Sequence, residues 1–312
     1  MNIILAGLVQ LLLFLIISPL VTGGIRTMKA RFQIRRGPPI WQPYLDLHKL
    51  LRKGMIIPDT ASWLFSATPY VVFLTAAMVS LMIPMVAADA PLSLFGGVLA
   101  VVYLLALGRF FLALGGLDTG SSFGGLGSSR EMTISAIAEP AMMAAIFTVA
   151  IAANSTNLSE VAKSAVGQSW RFLAPSQMLA FGAMFIVLIA ETGRIPVDNP
   201  ATHLELTMIH EAMILEYSGP YLALIEWGGS LKQLVLMTLL VNTFFPFGLS
   251  PSWNLQGAAI GLGFYLIKIA CICCLIVLVE TMNAKMRLFR VPELLAVAFI
   301  LGALALISTF LF

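Results

Sequence analysis

The stretch AETGRIPVDNPATHLELTMIHEAMILEYSG, residues 190–219, decides how the chain is read. It is polar and proline-broken, and it separates two long apolar runs. It holds Glu191, Arg194, Asp198, Glu205, Glu211 and Glu216 in a chain that is only 11% charged. Glu191 and Arg194 are three apart, so they share a face if the incoming helix continues through them. Pro196 is expected to end that helix near Ile195, because the residue before a proline avoids the helical region. Asn199-Pro200 then reads as an N-cap with proline at the first helical position, and Thr202-x-x-Glu205 is a competing capping box. A short second helix follows, closed by Ser218-Gly219-Pro220. An ordinary solvated loop is the bland reading. Acids in broken helices beside an apolar phase are costly, however, which makes them functional candidates.

Working outward, the chain is 59% hydrophobic with a mean hydropathy of +0.95, whereas a soluble domain carries about 25% charged residues. An all-α, polytopic membrane protein follows. Without ten-residue segments of alternating polarity, a β-barrel is disfavoured. Apolar runs of about 20 residues mark membrane spans. Eight are expected, at 3–22, 64–87, 94–114, 132–153, 174–191, 220–247, 256–280 and 291–311. The first lacks a basic leader and a small-residue cleavage site, so it reads as a retained helix. If the N-terminus lies outside, inner segments hold thirteen Lys and Arg residues and outer loops hold only Lys163 and Arg171. The positive-inside rule therefore places both termini outside. The chain is read as a single integral membrane domain, 1–312, with cytoplasmic-side segments at about 23–63, 115–131, 192–219 and 281–290.

The segment 23–63 is the most basic. Arg31, Arg35 and Arg36 precede a run from Trp41 to Lys53 in which Trp41, Tyr44, Leu45, Leu47 and Leu51 alternate with Asp46, Lys49, Arg52 and Lys53. This suits an amphipathic helix in the headgroup layer. Attraction to anionic lipid explains most of the charge; docking of a soluble partner through Arg31, Arg35, Arg36, Lys49, Arg52 and Arg130 is the functional alternative.

Residues 115–130, GGLDTGSSFGGLGSSR, read as a flexible glycine-rich loop; with no Gly-Lys-Ser/Thr they are not a phosphate loop. Nine residues beyond Arg130, Glu139 lies roughly 13 Å along the next helix. An ionised acid there costs about 2.5–3.5 kcal/mol, so it should face the bundle interior. Glu226, Lys232, Lys268 and Glu280 also fall inside or at the edge of apolar runs. Each lysine is either an ion-path residue or half of a buried pair. The loop 154–173 is polar and shows no chemistry. Cys271, Cys273 and Cys274 share one apolar run and read as small packing residues rather than ligands or disulfides. His210-Glu211 lacks the second histidine of a zinc protease, and His203 and His210 are two turns apart, too far for a metal pair. With too few cysteines for a four-cysteine cluster, no cofactor is expected in this chain.

The order Ala-Glu-Thr-x-Arg-x-Pro-x-Asp, an acid-rich helix and Glu-Tyr-Ser-Gly, all between Ala190 and Gly219, resembles the membrane subunit shared by respiratory NADH dehydrogenase (complex I) and the membrane-bound [NiFe] hydrogenases such as formate hydrogenlyase. Arg-Arg-Gly-Pro followed by Leu-x-Lys-Leu-Leu-x-Lys, in residues 35–53, is the family's other signature. Its short form here, together with Arg109-Phe-Phe, Leu117-Asp-Thr-Gly and Glu280-Thr-Met-Asn-Ala-Lys-Met-Arg, resembles the hydrogenase branch. The resemblance implies a non-catalytic anchor in a bacterial or archaeal cytoplasmic membrane. Its partners would be an Fe–S small subunit, a Ni–Fe large subunit and antiporter-like membrane subunits, with no nucleic acid. It also implies a coupling path through Glu139, Glu191, Arg194, Asp198, Glu205, Glu216, Glu226, Lys232, Lys268 and Glu280, with Arg194 holding Glu191 or Asp198. Ala201 and His203 stand where complex I members commonly place glutamates, which thins the acid chain. Alternatives are a quinone-binding subunit of an NADH dehydrogenase and a standalone secondary transporter. No internal repeat supports the latter.

Overall fold

The computed structural model describes residues 3–166, 174–198, 208–250 and 255–311. In chain order the helices are α1 (Ile3–Phe32), α2 (Gln42–Arg52), α3 (Trp63–Met82), α4 (Val98–Asp118), α5 (Ser122–Ala152), α6 (Leu158–Val166), α7 (Pro175–Glu191), α8 (His210–Ile214), α9 (Gly219–Phe244), α10 (Leu255–Met282) and α11 (Val291–Leu311). Seven of these, α1, α3, α4, α5, α9, α10 and α11, are long and apolar enough to cross a membrane. The eighth expected span, α7, has 17 residues. At 1.5 Å per residue that is about 26 Å, slightly short of a hydrocarbon core. No strand occurs among the described residues, and the fold is an all-α polytopic membrane bundle.

The helices alternate in direction. The ends of α1, α4, α7 and α10 and the starts of α3, α5, α9 and α11 lie at one end of the bundle, together with α2 and α8. This is the basic end; the opposite end is called distal. Ala141, Met142 and Ala145 of α5, Ala183, Met184 and Val187 of α7, and Leu234 and Val235 of α9 belong to the buried core. Outward faces stay apolar, as with Ile4, Leu8, Leu12 and Ile16 on α1 and Ile300, Leu304 and Ile307 on α11. In a soluble protein such faces would aggregate; in a bilayer they meet lipid tails at no cost.

The amphipathic helix expected after the first span is α2. It buries Pro43 and Leu47 and leaves Leu45 and Leu51 outward beside Lys49 and Arg52. Its Tyr44 hydroxyl donates to the Ile16 carbonyl of α1, and burial pushes the phenol's pKa up, keeping it a donor.

Several boundaries differ from the sequence reading. α1 runs ten residues past 22, to Phe32, so Arg26, Lys29 and Arg31 ride on its last turns. Residues 115–130 are not a flexible loop: α4 reaches Asp118 and α5 starts at Ser122. Gly115, Gly116, Gly124 and Gly127 there serve close packing. A Cβ on Gly124 would lie 2.1 Å from the Gly116 carbonyl oxygen, so only glycine lets α4 and α5 cross this closely. The polar loop after α5 contains α6, whose Leu158, Val161 and Ala162 are buried. Of the three cysteines only Cys273 packs inside, while Cys271 and Cys274 lie on the exposed face of α10.

α7 also stops earlier than Pro196 alone would require. It ends at Glu191, where Gly193 adopts φ +57°. Arg194 N–H then donates to the Ile189 carbonyl and Gly193 N–H to the Ala190 carbonyl, each at 3.1 Å. These are the paired bonds of a glycine-terminated helix end. The Ile195–Pro196 bond is cis. Asn199, Pro200, Thr202, His203 and Glu205 lie outside the described residues; the short helix expected in this stretch is α8, and Pro220 sits in the first turn of α9 as read.

Candidate functional site

Glu191 is the last residue of α7, and the glycine turn that ends the helix leaves its carboxylate facing the bundle interior. Arg109, in the second half of α4, brings Nη2 to 3.0 Å from Glu191 Oε1. Lys232, on α9, brings Nζ to 2.9 Å from Oε2. The same guanidinium reaches Glu139 of α5, Nη1 to Oε1 at 3.4 Å. Four charges from four helices therefore form one line, Glu139–Arg109–Glu191–Lys232. The Arg109 and Glu191 side chains are each 3% exposed.

A second group closes the base of α10. Glu280 accepts from Lys29 of α1 at 2.7 Å and from Arg194 at 2.8 Å, while Arg194 also donates to Gln233 of α9 at 2.8 Å. Arg194 is therefore the partner of Glu280, not of Glu191 or Asp198. Asp198 pairs with Lys285 at 2.7 Å and accepts the Ile209 N–H at 3.2 Å, which fastens the start of α8. Arg130 donates to the Met208 carbonyl at 2.8 Å from the other side.

These groups surround a cavity of about 700 Å³ at the basic end, between the last turns of α1, α2, α4, the end of α7, α8 and the first half of α9. Seven basic and seven acidic side chains line it, so it carries both signs in balance rather than a net field. Apolar residues such as Ile25, Leu105, Leu112 and Ile225 share the wall. His210 lies on it too, and burial lowers the imidazole's pKa below its usual value, against the pull of neighbouring Glu211. Among the described residues no three His, Cys, Asp or Glu side chains gather as a metal site.

Of the residues singled out from sequence, Glu191, Arg194, Asp198, Glu226, Lys232 and Glu280 line this cavity. Glu139 joins it through Arg109. Glu216 is exposed outside it, and Lys268 lies toward the distal end, where Nζ donates to Asn242 Oδ1 at 2.9 Å and the Phe245 carbonyl at 3.0 Å. Arg35 and Arg36 stand at the cavity wall, while Arg31, Lys49 and Arg52 are exposed. Sequence reasoning missed Arg109, Glu131, Gln233 and the pairing roles of Lys29 and Lys285. Glu131 lines the cavity within electrostatic reach of Lys232, Arg109 and Glu191. A signal for Arg109 existed, since a cation in the middle of an apolar run calls for a buried partner.

The comparisons agree with this architecture. The family model described as NADH dehydrogenase matches residues 5–311. The chain is 35% identical over 300 residues to "Hydrogenase-4 component C" of Escherichia coli, covering 96% of this chain and 93% of that one. It is 33% identical to "Formate hydrogenlyase subunit 4" of the same organism, with 98% of each covered. To an NADH-quinone oxidoreductase subunit of Rubrobacter xylanophilus it is 29% identical, over 77% of this chain and 73% of the relative. A chain of the archaeal membrane-bound sulfane sulfur reductase, a respiratory membrane complex, shares the fold with a TM-score of 0.87 at 19% identity, covering 99% of this chain and all of that one. With nearly every residue matched by one family model and two relatives aligned almost end to end, this helical bundle belongs to the NADH dehydrogenase family of membrane subunits.

Proposed function

We propose that the chain anchors the hydrophilic arm of a membrane-bound [NiFe]-hydrogenase or formate-hydrogenlyase-type complex and couples its redox reaction to proton or Na⁺ translocation. The arm's Ni–Fe centre and Fe–S clusters would belong to partner subunits, and antiporter-like membrane subunits would carry the ions onward. The two relatives above 30% identity support the hydrogenase side. The excess of basic residues at one end supports placing that end in the cytoplasm, with both termini outside a bacterial or archaeal cytoplasmic membrane. Arg35 and Arg36 at the cavity wall, with Arg31, Lys49 and Arg52 on the adjoining surface, supply the cationic docking face. Arg130 contributes by holding the start of α8.

The observation that carries the coupling is the double pairing of Glu191. One carboxylate is shared by Arg109 and Lys232 at the edge of a cavity beneath the docking face. When Glu191 takes up a proton, both cations lose the charge they share. Arg109 then has Glu139 as its remaining carboxylate partner, and Lys232 is left facing the cavity. The loss of one negative charge at Glu191 is thereby felt at Glu139 on α5 through Arg109, with no proton crossing the arginine and no helix moved. Electron arrival in the arm would set this in motion by raising the proton affinity of acids lining the cavity, among them Asp198, Glu226 and Glu280. Glu205 and Glu216, in the stretch around α8, would feed or drain the path.

The cavity itself favours a second reading, a quinone-binding subunit of an NADH dehydrogenase. Its volume falls within the range of small-molecule pockets, and its mixture of apolar and charged walls suits a ring with polar edges. Purification of the intact complex through this chain, followed by metal and flavin analysis, separates the readings. Nickel with hydrogen turnover supports the hydrogenase. Flavin with quinone-dependent turnover and no nickel replaces it with the second reading. A lone chain that transports ions unaided would overturn both.

A further inference from the structure

Most of the carboxylates that line the cavity are already held. Glu280 meets Lys29 and Arg194, Glu191 meets Arg109 and Lys232, and Asp198 meets Lys285. Asp46 accepts from Gln42 of its own helix at 2.9 Å. Glu131, Glu211 and Glu226 remain, with no ion pair and no side-chain hydrogen bond among the described residues. Their surroundings separate them. Glu226 lies in the field of Arg26, Glu211 and Asp46, on the α2 side of the cavity. Glu131 lies instead in the field of Lys232, Arg109, Glu191 and Asp198, the charges gathered around the end of α7.

Local structure sets where Glu131 stands. Gly127, Glu131 and Ile134 are four and three residues apart on α5, so they share a face of that helix. Gly127 makes the contact with α8: a Cβ there would lie 2.9 Å from the Ile209 carbonyl oxygen and 2.9 Å from the Ala212 Cβ. Arg130, next to Glu131 in the chain, holds the Met208 carbonyl. One turn beyond this contact, Glu131 and Ile134 line the cavity. The result is a half-buried carboxylate that its helix, and not a cation, keeps in place.

Glu191 is poorly placed to collect a proton unaided. Its side chain is 3% exposed, and each of its oxygens faces a cation, Arg109 at 3.0 Å and Lys232 at 2.9 Å. Two positive groups at that range repel an approaching hydronium. An uncommitted carboxylate attracts one. Glu131 and Glu191 line the same cavity, which is polar and roomy enough to hold water between them. A proton passes between such groups through bridging water, without direct contact of the two side chains.

We infer that Glu131 is the acid that collects a proton from cavity water and delivers it to Glu191. In the first step an O–H bond of a hydronium breaks, an O–H bond forms on the Glu131 carboxylate, and a neutral water is left. In the second, the Glu131 O–H bond breaks, the proton crosses the cavity water, and an O–H bond forms on Glu191. Glu131 is a carboxylate again, Arg109 and Lys232 have lost the charge they share, and no electron has moved. This rests on the coupling reading above and names the group through which its central carboxylate is loaded.

The test uses the intact complex reconstituted in vesicles, with hydrogen turnover and acidification followed together and nickel content reporting assembly. Glu131→Gln, whose amide has no acidic proton to pass on, is expected to lose acidification while hydrogen turnover continues in the presence of an uncoupler. Glu131→Ala, which leaves no amide in the cavity, is expected to do the same and serves where the glutamine variant does not assemble. Glu131→Asp keeps an exchangeable proton and is expected to restore translocation. Wild-type pumping by the glutamine or alanine variant would overturn the inference. So would an aspartate variant as impaired as they are, since the residue would then act through its size. Either result leaves the coupling reading standing as long as Glu191→Gln abolishes acidification. A wild-type complex that makes no gradient would overturn the coupling reading itself, and the role of Glu131 with it.

Discussion

Arg109 and Glu191, on α4 and α7, face each other with Nη2 3.0 Å from Oε1 and 3% of either side chain exposed. The guanidinium is not saturated: its Nε has no hydrogen-bond partner, and its reach to Glu139 is long, at 3.4 Å. Charge rather than a full hydrogen-bond set holds it between two carboxylates. An arginine held that way is free to redistribute between them when one is protonated.

Removing this cation should be costly. Arg109→Met leaves Glu191 with Lys232 alone and Glu139 with no cation, and breaking a buried pair from one side costs about 3–5 kcal/mol. A lowered thermal midpoint of the detergent-purified chain is expected. Adding Glu139→Gln to the same variant should recover part of the loss, because the stranded carboxylate is gone while Glu191 keeps Lys232. Equal melting of Arg109→Met and wild type would refute the pairing.

Gly124→Ala should be worse than its one added methyl suggests. The new Cβ would meet the Gly116 carbonyl oxygen at 2.1 Å, and backbone on both sides cannot yield without parting α4 from α5. Gly125→Ala, where nothing lies within 4 Å, is the matched control and should fold normally. Expression level and size-exclusion profile distinguish the two. Similar behaviour would mean that α4 and α5 do not cross here.

The pH dependence of stability should carry a His210 component. Burial depresses this imidazole's pKa from 6.5, so the unfolded chain takes up a proton at a pH where folded His210 still refuses it. Its contribution is complete above about pH 6.5 and is lost as pH falls below that value. Thermal melts from about pH 8 to about pH 5 should show a steeper acid-side decline in wild type than in His210→Gln. Parallel curves would count against a buried neutral imidazole.

Much of this architecture was legible in the sequence. Apolar runs of membrane length gave the spans, and Trp41 to Lys53 gave α2, because a period of 3.6 and a bilayer's thickness are both local properties. The acids of the cavity wall were legible too, as charges that an apolar environment does not accept without a reason. Their partners were not. Arg194 stands three residues from Glu191 yet bonds to Glu280, 86 residues away, because Gly193 ends the helix and turns the chain between them. Gly115, Gly116, Gly124 and Gly127 read as flexibility when their use is close packing, a distinction that depends on what another helix places opposite. Arg109 was visible and passed over.

The most direct measurement is proton translocation by the reconstituted complex carrying Glu191→Gln. The amide is nearly the same size and still able to hydrogen-bond, but it cannot exchange a proton with the cavity. Hydrogen turnover should persist in the presence of an uncoupler while acidification disappears, and Glu139→Gln should do the same. If both variants pump at the wild-type ratio of protons to hydrogen, the pair of carboxylates around Arg109 is not the coupling element.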